Sequence, residues 1–160
     1  MVSEPQPSTT DRIIVWSWVA TAVFAVVVGL YALGVSALKW VAVGVSGAMF
    51  LVSLGVWVYA YARAMVRSSR GDDISVPTLF FLSAGTAPPA VRRHLMGSLA
   101  VAIVVALATV QNDPFTVLAP MLPLGLAGLW AARHGTFPRR AGFDRASASA
   151  PRRSDGRSGK

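Results

Sequence analysis

Polar and apolar positions fall along this chain in long blocks rather than in a short period. Residues 1–12 are polar, Pro-containing and aperiodic, and read as a disordered N-terminal tail. From Ile13 to Leu33 no charge interrupts twenty-one residues. At ~1.5 Å per residue they span ~32 Å, enough to cross the hydrocarbon core of a bilayer. Gly34 to Leu38 is a connection short enough to make its flanking helices antiparallel neighbours. The second block, 39–62, carries no charge after Lys39 and ends on Trp57, Tyr59 and Tyr61, an aromatic cluster of the kind found at membrane interfaces.

A basic connector, 63–89, follows. Within it Ser75 is placed to cap a short helix, with Pro77 in its first turn and Gly85 as its stop. The apolar run Leu79-Phe80-Phe81-Leu82 is too short to cross anything, so it lies in the headgroup boundary or packs under the bundle. Thr86, Pro88 and Pro89 open a third helix, 90–110. Its uncharged part, Leu95 to Val110, reaches bilayer length when Arg92 and Arg93 snorkel to the interface. Asp113-Pro114 pairs a capping carboxylate with Pro at a first helical position and starts a fourth helix, 114–132. Pro120 and Pro123 predict a kink or local unwinding inside it. Residues 135–160 turn to Arg, Ser, Ala, Gly and Pro and read as a disordered basic tail. The pattern predicts an all-α fold: a polytopic membrane protein whose transmembrane domain, 13–134, holds four helices in two antiparallel hairpins.

Composition narrows the solvent and the partners. Of 160 residues 54% are hydrophobic and 14% charged, more apolar surface than a soluble domain of this size could hide. The net charge is +8, and thirteen of the fifteen basic residues are Arg. With apolar blocks this long, the partner for that charge is an anionic membrane surface, not nucleic acid. The absence of Cys excludes disulfides, thiolate metal sites and thiol catalysis. If the connector is cytoplasmic, fourteen basic residues lie inside and the two outer loops share only Lys39. The positive-inside rule therefore places both termini on the cytoplasmic side of the membrane. A signal-peptide reading, with Val35-Ser36-Ala37 as cleavage site, fits less well, because the apolar run exceeds the ~7–15 residues of a signal core.

Few residues offer chemistry. All seven carboxylates (Glu4, Asp11, Asp72, Asp73, Asp113, Asp144 and Asp155) lie in tails, loops or interfaces, whereas ion-coupled transport usually needs an ionisable group inside the membrane. The four-helix small multidrug exporters carry such a carboxylate in their first helix; this chain has none between Ile13 and Ala62. His94 and Ser98 share a helical face at the spacing of a base and nucleophile, but no carboxylate adjoins them, so an interfacial role for His94 is the simpler one. Two isolated His without Cys make no metal site, and no cofactor motif is present. Arg92, Arg93 and His94 of the third helix and Arg133 and His134 of the fourth are expected at one level, as a basic collar for anionic lipid phosphates. Small residues mark expected packing faces: Ala25 and Gly29; Gly44, Ala48 and Gly55; Ser98, Ala102 and Ala106; Gly125 and Gly128.

The segments Phe80-Phe81-Leu82, Ala87-Pro88-Pro89 with Val91-Arg92-Arg93, and Ala131-Ala132-Arg133-His134-Gly135-Thr136-Phe137-Pro138 resemble those of small uncharacterised actinobacterial multi-pass membrane proteins, over about residues 76–138. Arg dominating over Lys among abundant Ala, Val and Gly is in keeping with that. The resemblance implies a plasma-membrane bundle and no activity. The expected function is a non-enzymatic accessory or scaffold subunit of a membrane assembly. A small transporter or channel subunit is the alternative, and a lipid-modifying enzyme a more distant one.

Overall fold

The computed structural model describes residues 9–83 and 85–140. Of the disordered tails expected at 1–12 and 135–160, residues 1–8 and 141–160 lie outside the described residues, whereas 9–12 are helical. Helices α1 (Thr9–Ala32), α2 (Lys39–Ser68), α3 (Val76–Phe80), α4 (Pro89–Thr109) and α5 (Met121–His134) follow in order, with 3-10 turns at Ser36–Leu38 and Pro114–Leu118. Among the described residues, segments Arg12–Ala32, Ser36–Ser68, Pro89–Thr109 and Pro114–His134 are long and apolar enough to cross a membrane. The chain is an all-α polytopic membrane protein of four spans.

Two buried clusters fix the direction of each helix. Ile13, Ala64, Leu95 and Ala131 meet at one end of the bundle, and Phe24, Ala42, Ala106 and Leu122 meet at the other. The spans therefore alternate, and α1 begins at the end where α5 finishes. The basic connector closes that same end, with Arg63, Arg67, Arg92, Arg93 and Arg133 around it, while Lys39 lies at the opposite one. Trp16 near the basic end and Trp40 near the other are 66% and 77% exposed, as aromatic residues at two lipid–water boundaries should be.

The hairpin partners are not the closest partners. The broadest interfaces run between hairpins, α2 on α5 and α1 on α4. Within its apolar window the fourth span is 56% buried, against 22–28% for the other three. It is thus the central element, touched by α1, α2, α3 and α4. Its packing depends on small residues. A Cβ on Gly128 would lie 2.4 Å from Cε1 of Phe80, and one on Gly125 would lie 2.8 Å from Cδ1 of Trp57. Trp57 and Phe80 stack on each other with centroids 4.2 Å apart, and the Trp57 indole N–H donates to the Met121 carbonyl at 3.2 Å. An aromatic pair thus lies against two glycines, a close approach that lipid-embedded helices use in place of a hydrophobic drive.

Several boundaries differ from expectation. α2 continues six residues past Ala62, through Arg63 and Arg67, because Ala, Met and Arg are good helix formers and nothing breaks the run before Gly71. Gly71, at φ +99°, turns the chain. Thirty residues make α2 ~45 Å long, so its last turns project beyond a ~30 Å hydrocarbon core. Ser75 caps α3 as expected, in a reciprocal box with Thr78, and Pro77 lies in the first turn. The stop comes before Gly85, however: α3 ends at Phe80, and Leu82 adopts φ +51°. Leu79, Phe80 and Leu82 are buried, so the run packs under the bundle. The expected disruption at Pro120 and Pro123 is a break in the fourth span. The 3-10 turn ends at Leu118, and α5 starts at Met121 with Pro120 as its N-cap.

Residues 135–140, expected as the start of a disordered tail, are docked. The Asp73 N–H donates to the Pro138 carbonyl and the Arg140 N–H to the Gly71 carbonyl, both at 2.8 Å, and the Thr136 N–H reaches the Thr86 carbonyl at 3.1 Å. This strap lies across the connector and ties it to the end of α5.

A cationic cleft at the basic end

Placing the small residues comes first, because it changes which faces are open. The α2 stripe Gly44, Ala48 and Gly55 is exposed, and a Cβ on Gly44 or Gly55 would meet nothing within 4 Å. The inward face of α2 is instead Ala42, Ser46, Met49, Ser53, Ala60 and Ala64, spaced three and four apart along the helix, with a single step of seven. Both stripes have helical spacing, and the tertiary partners decide between them. Ala25 and Gly29 of α1 are half-buried. Ser98, Ala102 and Ala106 of α4 are buried, and Gly125 and Gly128 lie under the aromatic pair.

The base–nucleophile spacing comes to nothing geometrically. His94 is exposed, whereas Ser98 is fully buried. The Ser98 hydroxyl meets the Ser17 hydroxyl of α1 at 2.6 Å and donates to the Leu95 carbonyl at 3.0 Å. An interhelical contact of this kind stabilises a membrane bundle by roughly 0.6 kcal/mol. Asp113 at the far end caps the 3-10 turn through the Phe115 N–H at 3.0 Å, as its place before Pro114 predicts.

The expected collar does not form from the helices named. Arg133 and His134 line a cleft of about 570 Å³ together with Arg63 and Arg67 of α2 and Arg70 of the turn that follows it. Arg92 and Arg93 of α4 line a separate, largely apolar hollow with Leu82, Ala87 and Met96. The reason lies in the packing order. α5 lies most broadly on α2, so the last turn of α5 meets the extension of α2 and not the first turn of α4. Sequence reading missed Arg63, Arg67 and Arg70 as members of this group. The signal that finds them is the unbroken helical run up to Gly71, which puts Arg63 and Arg67 one turn apart.

Within the cleft the arginines divide into two kinds. Arg67 is satisfied: its Nε lies 2.9 Å from Oδ2 of Asp72, its Nη1 donates to the Gly135 carbonyl at 2.9 Å, and its guanidinium covers the Phe137 ring at 4.7 Å. It links α2, the connector and the strap. Arg63 and Arg133 are different. Both donate to the Tyr59 hydroxyl, at 3.1 and 3.3 Å, so the two nitrogens lie within about 6.4 Å of each other. Neither meets a carboxylate among the described residues. Like charges about 6 Å apart repel by roughly 0.7 kcal/mol in water, and by roughly 3 kcal/mol at the effective dielectric of a protein surface. Arg133, in the last turn of α5, complements that helix's carbonyl end, which is worth roughly half a negative charge. Among the described residues no three of His, Asp and Glu gather as metal ligands.

No protein-family model, curated protein or solved structure matches this chain.

Proposed function

We propose that the chain is a non-enzymatic accessory or scaffold subunit of a larger assembly in the plasma membrane. Its basic end and both termini face the cytoplasm, against anionic headgroups. The observation that carries this reading is the filled interior. Phe24, Val28, Leu95, Ala102 and Ala119 are fully buried along the bundle axis, and the ionisable residues of the described chain lie towards its ends. An interior closed in this way provides neither a lumen nor a titrating group for coupled transport. That leaves the outer surface to do the work, and the open Gly44–Ala48–Gly55 side of α2 is the part of it on which another helix could approach closely. The orientation follows from the confinement of Arg to one end.

Site-specific photocrosslinking in native membranes tests the reading. A crosslinker at Ala48 is expected to capture a protein in defined stoichiometry, while one at Val104, exposed on α4, captures lipid. Lipid adducts alone at both positions would contradict the accessory role.

One observation favours the alternative of a transporter or channel subunit: the break at Ala119 and Pro120, followed by Pro123, in the most buried span. Flux through reconstituted vesicles that responds to Pro120→Ala would move the reading there.

A further inference from the structure

We infer that the space between Arg63 and Arg133, walled by Arg70 and His134, binds a phosphate-bearing anion. The inference rests on the basic end lying at headgroup level and needs no partner protein. Three observations carry it. First, Arg63 and Arg133 come from different helices and converge on one phenol oxygen, with guanidinium carbons 5.7 and 5.2 Å from the centroid of the same ring. Second, the Asp72 carboxylate of the connector is engaged by Arg67, and among the described residues neither Arg63 nor Arg133 has an ion pair. Third, the pair opens onto a cleft of about 570 Å³, which Arg70 and His134 also line, ample for a phosphate group.

Helix-end stabilisation alone does not account for the arrangement. Arginines serving the carbonyl ends of α2 and α5 would donate to those carbonyls, as Arg67 does to Gly135. Arg63 and Arg133 donate to Tyr59 instead, which gathers two positive charges without neutralising either. A tetrahedral anion supplies what is lacking, because several oxygens can accept from two or three planar guanidinium forks at once. The same chemistry is offered by an anionic phospholipid headgroup and by a soluble phosphate, and the position at the end of the bundle admits both.

The test uses the full chain in neutral detergent. Native mass spectrometry would count retained phosphatidylglycerol against phosphatidylcholine for the wild type and for R63Q/R133Q, Tyr59→Phe and R92Q/R93Q. In a second arm, inorganic phosphate is titrated into chain held in phosphatidylcholine nanodiscs and followed by phosphorus NMR line width. Nanodiscs expose both faces, so a failure of binding is separable from a failure of the proposed orientation. The expected result is a drop of about tenfold in affinity for R63Q/R133Q, the loss of charge-assisted hydrogen bonds. A drop of about threefold is expected for Tyr59→Phe, which keeps the charge but releases the pair. R92Q/R93Q, which removes as much charge from the same end, should change affinity by less than about twofold. If lipid retention shows this pattern, the ligand is a headgroup. If only the phosphate arm shows it, the ligand is soluble. Equal losses in R63Q/R133Q and R92Q/R93Q, or no loss in either arm from an R63Q/R133Q chain that melts like wild type, would overturn the proposal. Should R63Q/R133Q fail to fold, Tyr59→Phe against R92Q/R93Q decides by itself, and an unchanged Tyr59→Phe then counts as the overturning result.

Discussion

Replacing Phe80 by Ala is expected to destabilise the bundle by about 3 kcal/mol, the larger of the two effects anticipated here. Phe80 is 1% exposed, stacks on Trp57 and fills the notch over Gly128. Removing the ring leaves a cavity between α2, α3 and α5 and takes away the anchor of the connector. Gly128→Ala approaches the same contact from the other side. The added methyl meets Cε1 and Cδ1 of a ring already held by Trp57 and Tyr61, so backbone or ring must shift, at a cost of about 1–3 kcal/mol. The two changes should not add. In F80A/G128A the methyl has room, and the double variant is expected to be more stable than the sum of the singles by about 1 kcal/mol. Thermal unfolding in detergent would measure all four corners of the cycle. Strict additivity would mean that Phe80 and Gly128 do not touch.

Arg67→Gln is expected to loosen the strap while leaving the spans in place. It removes the ion pair with Asp72, the bond to the Gly135 carbonyl and the cover over Phe137. The pair is about a quarter exposed on both sides, so screening limits its share. The three contacts together are worth about 1–2 kcal/mol. That corresponds to roughly tenfold faster hydrogen exchange at amides whose protection depends on the strap. The amides to watch are Asp73, bonded to the Pro138 carbonyl, and Arg140, bonded to the Gly71 carbonyl. Leu124, whose N–H in α5 donates to the Pro120 carbonyl at the cap, is the internal control. Unchanged exchange at Asp73 and Arg140 would mean that Arg67 does not hold the strap.

The architecture was legible because it depends on long-range hydropathy alone. Uncharged blocks of bilayer length predict spans whatever their partners, and short connections at Gly34–Leu38 and Gln111–Asp113 predict hairpins. What escaped the sequence was anything that depends on which helix lies beside which. Two small-residue stripes run along α2, and the choice between Ala42–Ser46–Ser53 and Gly44–Ala48–Gly55 is made by α1 and α5, not by spacing. Arg133 was expected to face Arg92 because α4 and α5 are neighbours in sequence. It faces Arg63 instead, because the aromatic pair Trp57 and Phe80 draws α5 onto α2. The strap was hidden for a related reason. Its polar composition resembles a tail, and its order comes from backbone bonds to residues fifty or more positions away.

The most direct test of four spans with one basic side is thiol accessibility in intact cells. The chain has no Cys, so single substitutions report cleanly. Ser36 and Ser69 are exposed at opposite ends of α2 and avoid the positive φ of Gly34 and Gly71. Ser36→Cys is expected to react with a membrane-impermeant maleimide from outside, and Ser69→Cys only after the membrane is opened. Labelling of both from the same side would contradict the account.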